Sequence, residues 1–180
     1  MNKKRKKQLI LLCIFFLLLL LAFVALKLYQ KNKPEEAKED ESYQVMQIDA
    51  SQVTKITIAT NIETIDLIKE DGSWRCLQDE NTEIDSARID TFLGQAGSVT
   101  SNIRIESVED MSEYGLESPG LQITLQWGDN LDTIKVGDYN SVINCYYINK
   151  NDDPIVYTAD SSFYDALNKS LDDFKAEETE

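Results

Sequence analysis

From Leu9 to Leu26 the chain reads LILLCIFFLLLLLAFVAL, eighteen residues without one polar side chain. At about 1.5 Å per residue such a helix is roughly 27 Å long, close to the hydrocarbon thickness of a bilayer. Lys27 can snorkel and Tyr29 can sit in the interface, so a transmembrane helix is predicted over residues 9–29. Ala22 and Ala25 are one residue too far apart for an Ala-x-Ala cleavage site, and the apolar run exceeds the usual signal-peptide core of about 7 to 15 residues. We therefore expect an uncleaved signal anchor. Cys13, embedded among bulky apolar residues, does not resemble a lipoprotein acylation site.

Charge gives the orientation. Residues 1–33 carry eight basic residues and no acid, and five of the eight precede the apolar run. The remainder sets ten basic residues against thirty-two acidic ones, a net −22. The positive-inside rule then predicts a cytoplasmic tail, residues 1–8, and an acidic body outside the cell membrane. That charge argues against nucleic acid, whose phosphates need clustered Lys and Arg, and against docking on anionic lipid or wall polymer. An acidic, solvated surface is the expected state of such a tethered domain.

The chain has no histidine. Ser-His-Asp and Cys-His catalysis are thereby excluded, as is every metal site that relies on imidazole. Outside the apolar run the cysteines are Cys76 and Cys145. An extracytoplasmic location permits a disulfide, and spacing alone leaves their separation open; two free, small, buried thiols are expected.

Residues 30–43 include KNKPEEAKEDES and read as a charged linker; the folded domain is expected over residues 44–175, followed by a tail at 176–180. VTKITIAT puts Ile56 and Ile58 on one face, and ETIDLIKE does the same with Ile65 and Leu67. Asp71-Gly72 predicts a hairpin turn into SWRCL, where Trp74 and Cys76 share a face. Asp85 then caps a helix of about three turns with Ile89, Phe92, Leu93 and Ala96 inward and Gly97 just beyond.

Ser107 and Asp110 have capping-box spacing and predict a short helix that ends at Gly115 in a left-handed residue, with Leu116 reaching back to Met111. Pro119 opens the next strand, so EYGLESPG is punctuation between elements. LQITLQW alternates cleanly, GDN turns it into LDTIKVGD, and CYYINK and PIVYTAD read as two further strands. A final helix, capped by Asp160 or Ser161, is expected to carry Phe163, Leu167, Leu171 and Phe174 on one face. The predicted fold is α+β, with antiparallel β-meanders each followed by a helix in a weak two-fold repeat, preceded by one N-terminal transmembrane helix.

Several of these stretches together resemble the bacterial family catalogued as domain of unknown function 4340. They are VTKITI, Gly72-x-Trp74, the Tyr114-Gly115-Leu116-x-x-Pro119 run, Gly137-Asp138, Tyr146-Tyr147, Pro154 to Tyr157, and Ser161 to Leu167, within about residues 48–170. The resemblance implies a membrane-tethered or secreted envelope protein, in some members accompanying ABC transport systems related to gliding motility. It implies no catalytic residue. Trp74, Tyr114, Gly115, Leu116, Pro119, Gly137 and Asp138 are read as structural members of the pattern.

Three chemistries deserve weighing. Asn149, Asn151 and Asp153 alternate as in a calcium loop, with Asp160 at its twelfth position, but Pro154 stands where glycine is needed, so a hairpin loop is the better reading. Asp129, Asp132 and Asp138 around LDTIKVGD offer paired carboxylates for a small wall-directed hydrolase. Aromatic residues concentrate in the second half, and the Gly137 to Tyr147 region, with Asp138, Tyr139, Tyr146 and Tyr147, is the candidate partner-binding surface. We expect a binding or accessory domain, auxiliary to an ABC-type transporter or another envelope complex, with no enzymatic activity, cofactor or metal. The alternatives are the acidic hydrolase and a calcium-dependent adhesion module.

Overall fold

The computed structural model describes residue 16 and residues 42–177. The chain divides into two compact units, residues 1–41 and 42–180. Among the described residues no helix is long and apolar enough to cross a membrane. The expected anchor at residues 9–29 lies, apart from Phe16, outside the described residues, as do the basic tail and nearly all of the linker.

The second unit is a mixed structure dominated by antiparallel sheet. Its elements are β1 (Tyr43–Gln47), β2 (Val53–Thr60), β3 (Thr64–Glu70), β4 (Ser73–Cys76), α1 (Ser86–Ala96), β5 (Ser98–Ser101) and β6 (Arg104–Glu106). They continue with β7 (Leu121–Trp127), β8 (Asn130–Asn140), β9 (Cys145–Lys150), β10 (Ile155–Asp160) and α2 (Ser161–Leu167). Among the described residues one eight-stranded sheet has the order β4-β3-β2-β7-β8-β9-β10-β6, and β1 pairs with β5 in a separate ribbon. The two meanders, β2-β3-β4 and β7-β8-β9-β10, meet where β2 runs antiparallel to β7.

Turn chemistry sets this register. Asp71 and Gly72 both take positive φ, 49° and 85°, the backbone of a type I′ hairpin, and Glu70 pairs with Ser73 across it. Gly128 (φ 55°) and Asp129 form the two-residue turn that pairs Trp127 with Asn130. Period-two burial then follows: Ile56, Ile58, Ile65, Leu67, Leu121, Ile123, Leu125, Ile134 and Val136 are all essentially inaccessible. Helix α1 covers this face with Ile89, Phe92, Leu93 and Ala96, capped by Asp85, whose carboxylate accepts from the Ala87 N–H at 2.8 Å.

Two expectations fail in instructive ways. The last helix is not continuous. α2 ends at Leu167, Asn168 leaves helical backbone (ψ 78°), and a separate 3₁₀ turn spans Leu171–Phe174. Its cause is local: Asp173 Oδ2 accepts both the N–H and the hydroxyl of Ser170 at 2.8 Å, a cap that competes with helix propagation. The helix expected from Ser107 is likewise a single 3₁₀ turn, Met111–Tyr114, capped by Asp110 itself. Ser107 instead sits at φ 56°. Strands β1, β5 and β6 are additional to the predicted elements. In β1 a bulge between Gln44 and Met46 buries the adjacent Val45 and Met46, which removes the alternation that marks a strand.

Candidate functional site

The EYGLESPG loop is built onto β8. After the 3₁₀ turn Gly115 adopts φ 68°, its N–H and that of Leu116 bonding back to Ser112 and Met111 carbonyls at 3.1 and 3.0 Å. The loop backbone lies directly on Gly137. A Cβ there would fall far inside contact distance of the Tyr114 carbonyl oxygen and 2.9 Å from the Gly115 carbonyl carbon. The converse holds at Gly115, where a Cβ would meet Asp138 Oδ1 at 2.5 Å and its backbone nitrogen at 2.8 Å. The strand yields at this point, its register with β9 shifting between Val136 and Tyr139. Tyr114, Gly115, Leu116, Gly137 and Asp138 thus form one junction, with Leu116 buried beneath it. Trp74 is in the core on β4, remote in strand order, and Pro119 precedes β7.

Beyond the bulge, β8 and β9 extend as a hairpin lined with tyrosines. Tyr139 and Tyr146 are cross-strand partners with ring centroids 5.0 Å apart, and Tyr146 stacks on Tyr164 of α2 at 4.4 Å and 13°. Burial, the neighbouring Tyr164 and the Asp165 charge hold the Tyr146 phenol above its usual pKa, so it stays protonated. Tyr147 points to the opposite face, where Tyr114 meets it edge-on at 4.9 Å and its hydroxyl accepts from Asn140 Nδ2 at 2.6 Å. The four residues expected to form one patch are therefore divided: Tyr139 and Tyr146 lie on one face of the hairpin, Tyr147 on the other, and Asp138 at the junction with Gly115.

The apolar feature of this region is one that the sequence reading passed over. At the hairpin tip Val142 is 88% exposed and Ile143 39%. Asn140 Oδ1 accepts from both of their N–H groups, at 2.9 and 3.4 Å, and Tyr139 donates its hydroxyl to Asn144 Oδ1 at 3.2 Å. The tip is an ordered turn that holds two aliphatic side chains in water. A Val-Ile pair between Asn140-Ser141 and Asn144 was the available signal.

Asp132 and Asn149, two of the other candidates, have structural partners. Asp132 accepts from Trp127 Nε1 (2.9 Å) and Asn151 Nδ2 (2.8 Å) and pairs with Lys150 at 3.2 Å. Burial works against its charge, but these donors more than offset that, and its pKa is lowered. Asp132 and Asp138, six positions apart on one strand, are about 20 Å apart, well beyond the roughly 5 to 9.5 Å of a glycosidase pair. Asn149 is buried, its amide donating to the carbonyls of Asp153 (2.7 Å) and Ile155 (2.8 Å), so it pins a hairpin whose Asn151 and Asp152 have positive φ. Among the described residues no group of three or more acids or thiols is placed to hold a metal ion. Cys76 and Cys145 are both free, the first buried and the second half-buried.

No curated protein matches the chain, and no solved structure does. The family described as Domain of unknown function (DUF4340) matches residues 74–179. The match opens at Trp74, so VTKITI and Gly72 fall outside it, although β2 and β3 are what join β4 to β7 in the sheet. It takes in the Tyr114-Gly115-Leu116 loop, its Gly137-Asp138 seat and the tyrosine hairpin, and the chain belongs to the DUF4340 family.

Proposed function

We propose that this chain is a membrane-anchored extracytoplasmic binding domain, held by residues 9–29 and serving as an accessory subunit of an envelope complex such as an ABC-type transporter. The ordered β8–β9 tip carries the reading. An aliphatic residue 88% exposed on a hydrogen-bonded turn has no role in this domain's own core, and the same hairpin carries Tyr139, itself 45% exposed. Aromatic and aliphatic side chains on a preordered scaffold are the usual anchors of protein interfaces, since little entropy is lost in fixing them. Membrane placement is supported by the apolar run and the charge asymmetry on either side of it.

The test is co-purification of the full chain from mild detergent. The expected result is a stoichiometric membrane partner, lost with Val142→Asp while the melting temperature is unchanged, because surface substitutions at open positions stay within about 0.5 kcal/mol. Recovery of the protein alone, or of the same partner with the variant, would remove this function.

A further inference from the structure

A cavity of about 640 Å³, within the range of small-molecule sites, is lined by α1, α2 and the Lys169 to Phe174 segment that follows the break at Leu167. Its apolar wall is Ala166 with Phe92 and Phe174, which meet edge-on at 5.5 Å. Its charged groups are Arg88, Lys169 and Asp173. The lining itself sets two cations against one carboxylate; Asp85 and Glu177 reach Arg88 from outside that lining, and the Lys169 ammonium donates to the Asp165 carbonyl at 3.0 Å. Asp173 is also committed elsewhere, its Oδ2 accepting both donors of Ser170.

Arg88 already engages carboxylates. Its Nε faces the Asp85 carboxylate at 3.4 Å and its Nη1 donates to the Asp173 carbonyl at 3.3 Å. Its Nη2 holds Glu177, 3.3 Å away, on a side chain that is 88% exposed. A carboxylate therefore already rests on this guanidinium, on a side chain that costs little to displace. We propose that the cavity binds a small amphipathic carboxylate. The ligand's acid replaces Glu177 on Arg88 with Lys169 alongside, and its apolar body lies against Ala166 and the edges of Phe92 and Phe174. This site is independent of the hairpin tip.

Calorimetric titration of the full chain in lipid nanodiscs, with empty discs subtracted, tests it using 4-phenylbutyrate and the neutral 4-phenylbutanamide. Saturable one-site binding of the acid and much weaker binding of the amide are expected. Arg88→Gln should weaken the acid about tenfold, the loss of one charge-assisted hydrogen bond, and Glu177→Gln should tighten it. Ala166→Phe, filling the cavity, should abolish binding; Arg88→Gln, at a partly exposed position, keeps the test decisive if that variant folds poorly. No saturable binding by the wild type, or equal binding of acid and amide with no effect of Arg88→Gln, would overturn the proposal.

Discussion

Gly137→Ala tests the central packing relation of the fold, the seating of the EYGLESPG loop on β8. The added Cβ meets the Tyr114 carbonyl oxygen and, at 2.9 Å, the Gly115 carbonyl carbon. Neither is a side chain that can rotate away, so either the strand or the loop must move. Overpacking costs about 1 to 3 kcal/mol where side chains can adjust, and two backbone obstacles put this case near the upper figure. At about 3 °C per kcal/mol for a domain of this size, melting should fall by about 10 °C. Two other glycines separate sterics from propensity. Gly128→Ala meets nothing within 4 Å but must hold φ 55°, and should cost about 1 kcal/mol. Gly94→Ala, in α1 with open space around it, should stabilise by about 0.5 to 1 kcal/mol. Thermal unfolding followed by circular dichroism reads all three. A Gly137→Ala protein that melts within 2 °C of wild type, or loses no more than Gly128→Ala, would refute the argument.

Acid should destabilise the domain through carboxylates whose folded pKa is lowered. Asp66 is lowered by the Thr57 hydroxyl and by Lys55, against burial, and Asp132 by its three donors, again against burial. A depressed carboxylate contributes stability above its unfolded value of 3.8 and loses it as pH falls through that value and below. The denaturation midpoint should therefore hold near pH 5 to 7 and drop toward pH 3, with a shallower drop in Asp132→Asn; a flat profile would contradict this. Cys76 and Cys145 lie five strand spacings apart, about 24 Å, so mild oxidation should form no bridge between them. Peptide mapping after maleimide treatment should show native labelling at Cys145 and labelling at Cys76 only on unfolding. Asn149→Ala removes both hydrogen bonds donated by a buried side-chain amide and should cost about 2 kcal/mol, while millimolar calcium should leave the melting temperature unchanged.

Elements whose signals are local were legible in the chain. Helix α1 could be placed because Asp85, the Ile89-Phe92-Leu93-Ala96 spacing and Gly97 all agree. The hairpins at Asp71-Gly72 and Gly128-Asp129 were equally plain, because positive φ needs particular residues. What escaped was decided by competition or by distance. The apolar spacing through Leu171 and Phe174 promised a long helix, yet the Ser170–Asp173 cap ends it and still delivers Phe174 to Phe92. Gly115 and Gly137 were each visible as pattern members, but their contact exists only once β8 is in the sheet. For the same reason the alternation of β8 and β9 could not show that Tyr146 and Tyr147 serve different neighbours until both faces had been filled.

We propose that the β8–β9 tip is the surface a partner covers. A photo-crosslinking amino acid placed in the cell at Val142 tests it most directly, with Leu131, 63% exposed on the opposite stretch of β8, as the control. One discrete adduct to a membrane or envelope protein is expected from position 142 and none from position 131. No adduct at 142, or the same adducts from both positions, would contradict it.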